Sequence, residues 1–278
     1  MFRLARWMAV IVGVMGLMLV AGACQTMSAK PPEVTVTAKD YAFDLPESFG
    51  GGVVTLKLSN TGKEPHMAML FRLNDGVTLD QFNAALAQPD PSGVFALGSL
   101  AGGVNTTPPG AAQATTLDLK AGDYAILDFG AGADQVPYMA KGMLKPFKVT
   151  AGSSTAEPAS DVAVTLKEYT FEMPTELKAG THTFKISNQG TQPHEMILFK
   201  LAEGKTLADM QAFLSNPESG GTPPGEEAGG ALPMAPGMRA WTTVDLKPGK
   251  YVAVCFIPDP TDGKSHLEHG MLMPITVN

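Results

Sequence analysis

The segment VAVTLKEYTFEMPTELKAGTHTFKISNQGTQPHEMILFKL (residues 162–201) repeats an earlier one, VTVTAKDYAFDLPESFGGGVVTLKLSNTGKEPHMAMLFRL (residues 34–73). Within it, THTFKISN (residues 181–188) places β-branched or apolar side chains at every second position, which is typical of a strand. Each copy is followed by one short helical pattern, at residues 78–86 or 206–214, and then by a Gly/Pro-rich loop and further strands. The repeat predicts two similar all-β domains, each with a helical insertion on its rim.

The chain has 278 residues, enough for two domains that each bury a core. Its 30 glycines and 22 prolines indicate many turns and little helix. AGSSTAEPAS, between the copies, is small and polar and is typical of a linker. The predicted organisation is a signal peptide (1–23), a tether (24–33), a first half (34–150), a linker (151–160) and a second half (161–278).

The N-terminus has the features of an export signal. Arg3 and Arg6 precede an apolar run at residues 8–20, and small residues then lead to Cys24. The pattern resembles a bacterial lipoprotein signal, which implies a lipid on Cys24 and a membrane-anchored protein facing the periplasm or the cell exterior. An ordinary secretory signal cleaved near Ala23, or an uncleaved anchor, is the alternative.

An exported protein is in an oxidising compartment, where a free thiol such as that of the second cysteine, Cys255, is unusual. If Cys24 carries a lipid, Cys255 has no partner for a disulfide, so it is either a buried thiol or a metal ligand. His266 and Met271 follow it closely, and His194 comes earlier, just after a turn. Two imidazoles, one thiolate and a weak thioether are the donors of a blue copper site.

These motifs resemble those of the cupredoxin family of blue copper proteins. The shared features are an Asn-x-Gly…His turn (Asn188, Gly190, His194) and a late Cys…His-x4-Met loop with glycine before the methionine. The resemblance implies two tandem cupredoxin-like Greek-key β-sandwich domains, one type 1 copper in the second, and electron transfer between redox protein partners. The implied ligands are His194, Cys255 and His266 in the equatorial plane and Met271 in the axial position.

The late loop departs from the family pattern in its length. Ten residues, FIPDPTDGKS, separate Cys255 from His266, whereas the family uses a much shorter loop. The Pro/Asp/Gly content favours turns that return His266 to the metal. His269 and Met273 are the less favoured alternative ligands. Each residue also has a structural interpretation, such as a buried thiol, a turn histidine or a core methionine.

The first half lacks the same donors. Asp128 stands where the second half has Cys255, and Tyr138 stands where it has His266. His66 keeps its place, but without a thiolate these residues cannot form a blue copper site. A structural or docking role is therefore predicted for the first half.

The favoured function is electron transfer by a lipid-anchored copper protein. The chain's five histidines include no His-x-His pair, and Cys255 is the sole late thiolate, so we expect no enzyme and no small-molecule substrate. The net charge of −7, without a basic cluster, argues against nucleic acid. The apolar stretch GGALPMAPGM (229–238) could form a surface for a redox partner. Two alternatives remain: a metal-free interaction module, or a copper-homeostasis protein that uses extra methionines (Met67, Met69, Met234, Met238 and Met273).

Overall fold

The computed structural model describes residues 30–88, 91–215 and 222–278. The predicted signal peptide and Cys24 lie outside the described residues, so lipidation stays a prediction. Among the residues that are described, no helix is both long and apolar enough to cross a membrane.

Both halves consist mainly of strands. Those of the first half are β1 (Glu33–Lys39), β2 (Ala42–Asp44), β3 (Ser48–Asn60), β4 (His66–Leu73), β5 (Gly98–Thr107), β6 (Ala112–Leu119), β7 (Gly122–Leu127) and β8 (Leu144–Ser154). Its helix is α1 (Leu79–Leu86), with 3-10 turns at Pro91–Ala96 and Tyr138–Lys141. Those of the second half are β9 (Val162–Lys167), β10 (Thr170–Glu172), β11 (Glu176–Leu177), β12 (Gly180–Asn188), β13 (His194–Leu201), β14 (Gly225–Met234), β15 (Arg239–Leu246), β16 (Gly249–Val254) and β17 (Leu272–Val277), with helix α2 (Leu207–Ser215).

Each half is a two-layered sandwich with the same topology. In the first half, β1, β2, β3 and β6 form one layer, and β4, β5, β7 and β8 form the other. The long strand β3 joins the layers, because one end pairs with β1 and the other with β8, both in parallel. In the second half, β12 pairs with β9 and the separate short strand β11 pairs with β17. The prediction of two all-β sandwich domains with a helix in each is confirmed.

The helices begin where the sequence predicts. The Thr78 hydroxyl accepts a hydrogen bond from the Gln81 backbone N–H (3.2 Å), and the Gln81 side chain accepts one from the Thr78 N–H (2.8 Å). This capping box satisfies two N–H groups that a helix start leaves free. Thr206 and Asp209 make the equivalent contacts before α2. Strand β8 continues to Ser154, so the connection between the halves starts there rather than at residue 151.

The two halves join edge to edge. Strand β6 of the first half pairs antiparallel with β15 of the second, and this makes one layer continuous across the molecule. Arg239 forms ion pairs with Asp118 of the first half (2.5 Å) and with Glu157 of the connecting segment. The stretch 229–238 is not a free docking surface, because β14 lies against β5 and Met234 is fully buried.

Candidate metal centre

The candidate ligands meet at one end of the second sandwich. His194 is the first residue of β13, Cys255 directly follows β16, and Met271 directly precedes β17. Because β16 runs antiparallel to both β13 and β17, the start of those strands lies beside the end of β16. The topology alone therefore places the early histidine and the late residues together.

Three donors form a compact buried cluster. His194, Cys255 and His266 each offer a ligand atom, and these atoms all lie within 4.8 Å of one another. Cys255 Sγ is 3.4 Å from His266 Nδ1, and the two imidazole centroids are 4.7 Å apart. All three residues are fully buried, with 0% exposure, so the protein excludes water from the cluster.

The ten-residue loop brings His266 back to Cys255. Pro258 and Ser265 form an antiparallel bridge across the loop. The His266 N–H then donates to the Ile257 carbonyl at 2.8 Å, which ties the end of the loop to its beginning. The extra residues thus form a closed, hairpin-like extension, and the predicted return of His266 is observed.

A second set of side chains surrounds the outer edge of the His266 ring. His266 Nε2 lies 2.8 Å from Gln192 Oε1, and Gln192 Nε2 donates to Asp259 Oδ2 at 2.9 Å. The Tyr169 hydroxyl donates to the same carboxylate oxygen, and the Tyr169 ring meets the His266 ring edge-on at 5.3 Å. Hydrogen bonds from Thr261, Tyr169 and Gln192 hold the pKa of Asp259 below its usual range.

The Asn-x-Gly turn positions His194. Asn188 is buried, its side chain donates to the Gln192 and Met234 carbonyls (2.9 and 2.8 Å), and it accepts from the Gly190 N–H. A Cβ atom at Gly190 would lie 2.6 Å from Glu168 Oε1 and 2.7 Å from His194 Nε2, so a larger residue there would displace these side chains. The turn is therefore built around the imidazole.

The His194 imidazole is buried without hydrogen bonds. Neither Nδ1 nor Nε2 has a partner among the described residues, and the nearest carboxylate, on Glu168, is 3.7 Å from Nε2. Burial lowers the pKa of His194 and lowers that of His266 to about 4, so both rings are neutral and keep a lone pair. Burial also raises the pKa of Cys255 to about 12, so a thiolate there needs a cation beside it. This donor set fits one type 1 copper ion.

The equivalent histidine of the first half is fully bonded. His66 Nδ1 contacts Asp128 Oδ2 at 2.8 Å, and His66 Nε2 contacts Asp40 Oδ1 at 3.1 Å. The edge of Tyr138 closes the site at a centroid distance of 4.8 Å. The same fold position thus holds a satisfied polar cluster in one half and free donor atoms in the other.

The remaining predicted ligands have different surroundings. Met271 is fully buried, and its backbone bonds to Cys255 (3.3 Å) and His266 (2.8 Å) resemble those of Met143 in the first half. His269 stacks on Tyr169 at 4.6 Å, bonds to an aspartate of the loop, and lies outside the three-donor cluster. Met273 packs against the main core. The axial role of Met271 stays a prediction.

The extra methionines of the homeostasis alternative belong to the apolar cores. They lie in or against two buried apolar clusters, with Met234, Met238 and Met273 in one and Met67 and Met69 in the other. Packing accounts for their positions.

Sequence reasoning missed the residues around His266. Gln192 occupies the place of Glu64 in the repeat, and Asp259 occupies that of Gly132. These exchanges accompany the exchange of Tyr138 for His266, so a comparison of the two halves contains the signal.

The depressed histidine pKa predicts how the metal-free protein responds to acid. In the unfolded chain, His266 becomes protonated near its ordinary pKa of 6.5. In the folded chain it stays neutral until about pH 4, because burial lowers its pKa. The unfolded state therefore binds more protons in this window, and the free energy of unfolding falls as the pH falls from about 6.5 to 4. Urea denaturation across this range should show a shallower fall for His266→Gln. Equal slopes for the two chains would contradict the assignment.

Comparisons with known proteins gave structural matches alone. No protein-family model and no curated protein matches the chain. Reduced auracyanin from Roseiflexus castenholzii is 22% identical, over 42% of this chain and 94% of that one, with a TM-score of 0.30. A multicopper oxidase is 14% identical over 88% of both chains, with a TM-score of 0.27. Blue copper oxidase from Nitrosomonas europaea is 13% identical, over 90% of this chain and 86% of that one, with a TM-score of 0.27.

One expectation from the sequence is corrected by these matches. We expected no enzyme, but the solved structures similar to this chain include two copper oxidases, which are enzymes. The plain exclusion of catalysis rested on a count of histidines and cysteines, and it does not stand.

Proposed function

We propose that the second half of the chain binds one copper ion as a type 1 centre and transfers single electrons between redox protein partners. The observation that supports this most is the pair of unbonded, buried nitrogens of His194 beside Cys255 and His266. An unsatisfied buried polar group costs about 1–3 kcal/mol, so its presence favours a ligand that satisfies it. His66, in the equivalent position, has no such free atoms.

The residues of the site suit rapid one-electron exchange. A copper ion bound by these donors supplies one-electron redox chemistry with a soft thiolate ligand. Cys255 gives up its Sγ proton on binding, while both imidazoles are already neutral. The strand ends and the bonded Asn188 turn hold the donors in place, which limits rearrangement between oxidation states.

Titration of the metal-free full chain with Cu(II) tests this function. We expect one copper per chain, an intense visible absorption from the thiolate–copper bond, and a reversible one-electron wave in voltammetry. Tight Cu(I) binding without a reversible wave would instead favour a storage or homeostasis role. Copper binding without the visible band would contradict a type 1 centre.

We also propose that the chain is exported and held at a bacterial membrane by a lipid on Cys24. Arg3, Arg6, the apolar run at residues 8–20 and the small residues before Cys24 support this. A Cys24→Ser chain should then move from the membrane fraction to the soluble fraction. Its retention in the membrane would contradict the anchor.

A further inference from the structure

The outer nitrogen of His266 ends a directional chain of hydrogen bonds. His266 Nε2 contacts Gln192 Oε1 (2.8 Å), and Gln192 Nε2 contacts Asp259 Oδ2 (2.9 Å). Asp259 is 3% exposed and lies in the long loop that separates Cys255 from His266. The loop therefore returns His266 to Cys255 and also carries Asp259, whose carboxylate is linked to the His266 ring through the side-chain amide of Gln192.

The direction of this chain follows from the carboxylate. An ionised carboxylate only accepts hydrogen bonds, so the NH2 group of Gln192 must face Asp259. The carbonyl oxygen of Gln192 must then face His266 and can only accept. Nε2 of His266 is therefore the protonated nitrogen, and Nδ1, which lies 3.4 Å from Cys255 Sγ, keeps its lone pair.

The first half provides an independent comparison. Glu64 takes the place of Gln192 and accepts a hydrogen bond from the Tyr138 hydroxyl at 3.3 Å. A carboxylate can accept in either orientation, so it needs no further residue to orient it, and Gly132 stands in the place of Asp259. The second half, where the amide of Gln192 has two possible orientations, thus has a carboxylate at residue 259 to select one of them. The first half has neither the amide nor that carboxylate.

We infer that Asp259, acting through Gln192, is a positioning residue that fixes His266 in its Nε2–H tautomer and presents Nδ1 to the metal. The metal-binding part of this inference rests on the proposed function, whereas the tautomer is a property of the metal-free protein. Outer-sphere partners of this kind commonly fix the orientation and tautomer of a ligand histidine.

The substitution Asp259→Asn should reverse the direction of the hydrogen bonds that run from His266 through Gln192 to residue 259. The Thr261 N–H donates to Asp259 Oδ1 at 2.6 Å and should retain the amide oxygen of the new asparagine. The asparagine NH2 group then faces both Tyr169 and Gln192. The Tyr169 hydroxyl can accept instead of donating, whereas Gln192 must turn over and present its own NH2 group to His266. Nε2 becomes an acceptor, and the proton moves to Nδ1, the nitrogen needed for the metal.

Nitrogen-15 NMR of the histidine-labelled, metal-free full chain measures this directly. We expect a protonated Nε2 on His266 in the parent chain and a protonated Nδ1 in Asp259→Asn. Copper competition titrations should show an affinity about 10–100-fold lower in that variant. Asp262→Asn is the matched control, because it removes the same charge from the same loop, where Asp262 bonds to His269. It should change neither measurement.

An unchanged tautomer in a folded Asp259→Asn chain would overturn the inference. If that variant does not fold, Gln192→Met removes the same link and should leave His266 as a mixture of tautomers with weakened copper binding. A single Nε2–H tautomer in Gln192→Met would also overturn it. A parent chain with the expected tautomer but no blue copper spectrum would contradict the proposed function alone.

Discussion

We expect the Cys255→Ser chain to bind copper without the intense visible absorption expected of the parent chain. Its copper affinity should be at least ~100-fold lower, since loss of an outer-sphere partner alone costs up to about 100-fold. The absorption arises from the copper–thiolate bond, and a serine hydroxyl is a hard donor that does not ionise at neutral pH. Cys255 is fully buried at the end of β16, so the smaller oxygen leaves the strand and its partners in place. Absorption spectroscopy and a competition titration on the full chain measure both effects.

Asp128→Asn is the matched control for this substitution, because Asp128 is the counterpart of Cys255 in the first half. Its carboxylate bonds to His66 rather than to a free donor set, so the visible band should be unchanged. A band that persists in Cys255→Ser, or disappears in Asp128→Asn, would place the copper elsewhere in the chain.

The strands and helices could be predicted because strand alternation and helix-start residues are both local features of the sequence. The alternation in residues 181–188 became β12, and Thr78 and Thr206 start the two helices. The joining of the halves could not be predicted in this way. It depends on β6 and β15 having complementary free edges, and on Arg239 reaching Asp118, and both are long-range contacts that leave no periodic pattern in the sequence.

The three donor residues of the cluster could be predicted from their residue types, but the residues that hydrogen-bond to the His266 ring could not. Cys255 and His266 attract attention because a thiol and an imidazole are rare in this chain. Gln and Asp are residue types that usually lie at the surface, so nothing in the sequence singles out Gln192 and Asp259. Their role appears only when the loop folds back over His266. The long loop departs from the family pattern in its length, and in the structure it carries Asp259, the carboxylate that bonds to Gln192.

The two equivalent histidines should respond in opposite ways to the same substitution. His66→Leu removes the imidazole that bonds to Asp128, a fully buried residue whose pKa is raised by burial. Asp128 keeps the Gly130 and Met67 N–H donors, and loss of the imidazole partner from this buried carboxyl group costs about 1–3 kcal/mol. Urea denaturation of the metal-free chain should show a loss of this size in the free energy of unfolding.

His194→Leu should not destabilise the metal-free protein. Neither buried nitrogen of the His194 ring has a hydrogen-bond partner among the described residues. An apolar side chain therefore removes a desolvation cost, and the free energy of unfolding is kept or rises by about 1 kcal/mol. The thermal stabilisation that added copper gives the parent chain should disappear in this variant, because a ligand stabilises only the state that binds it. In His66→Leu that stabilisation should persist. Equal losses of metal-free stability in both variants would show that the two histidines have the same structural role. That result would contradict the assignment of His194 as a metal ligand.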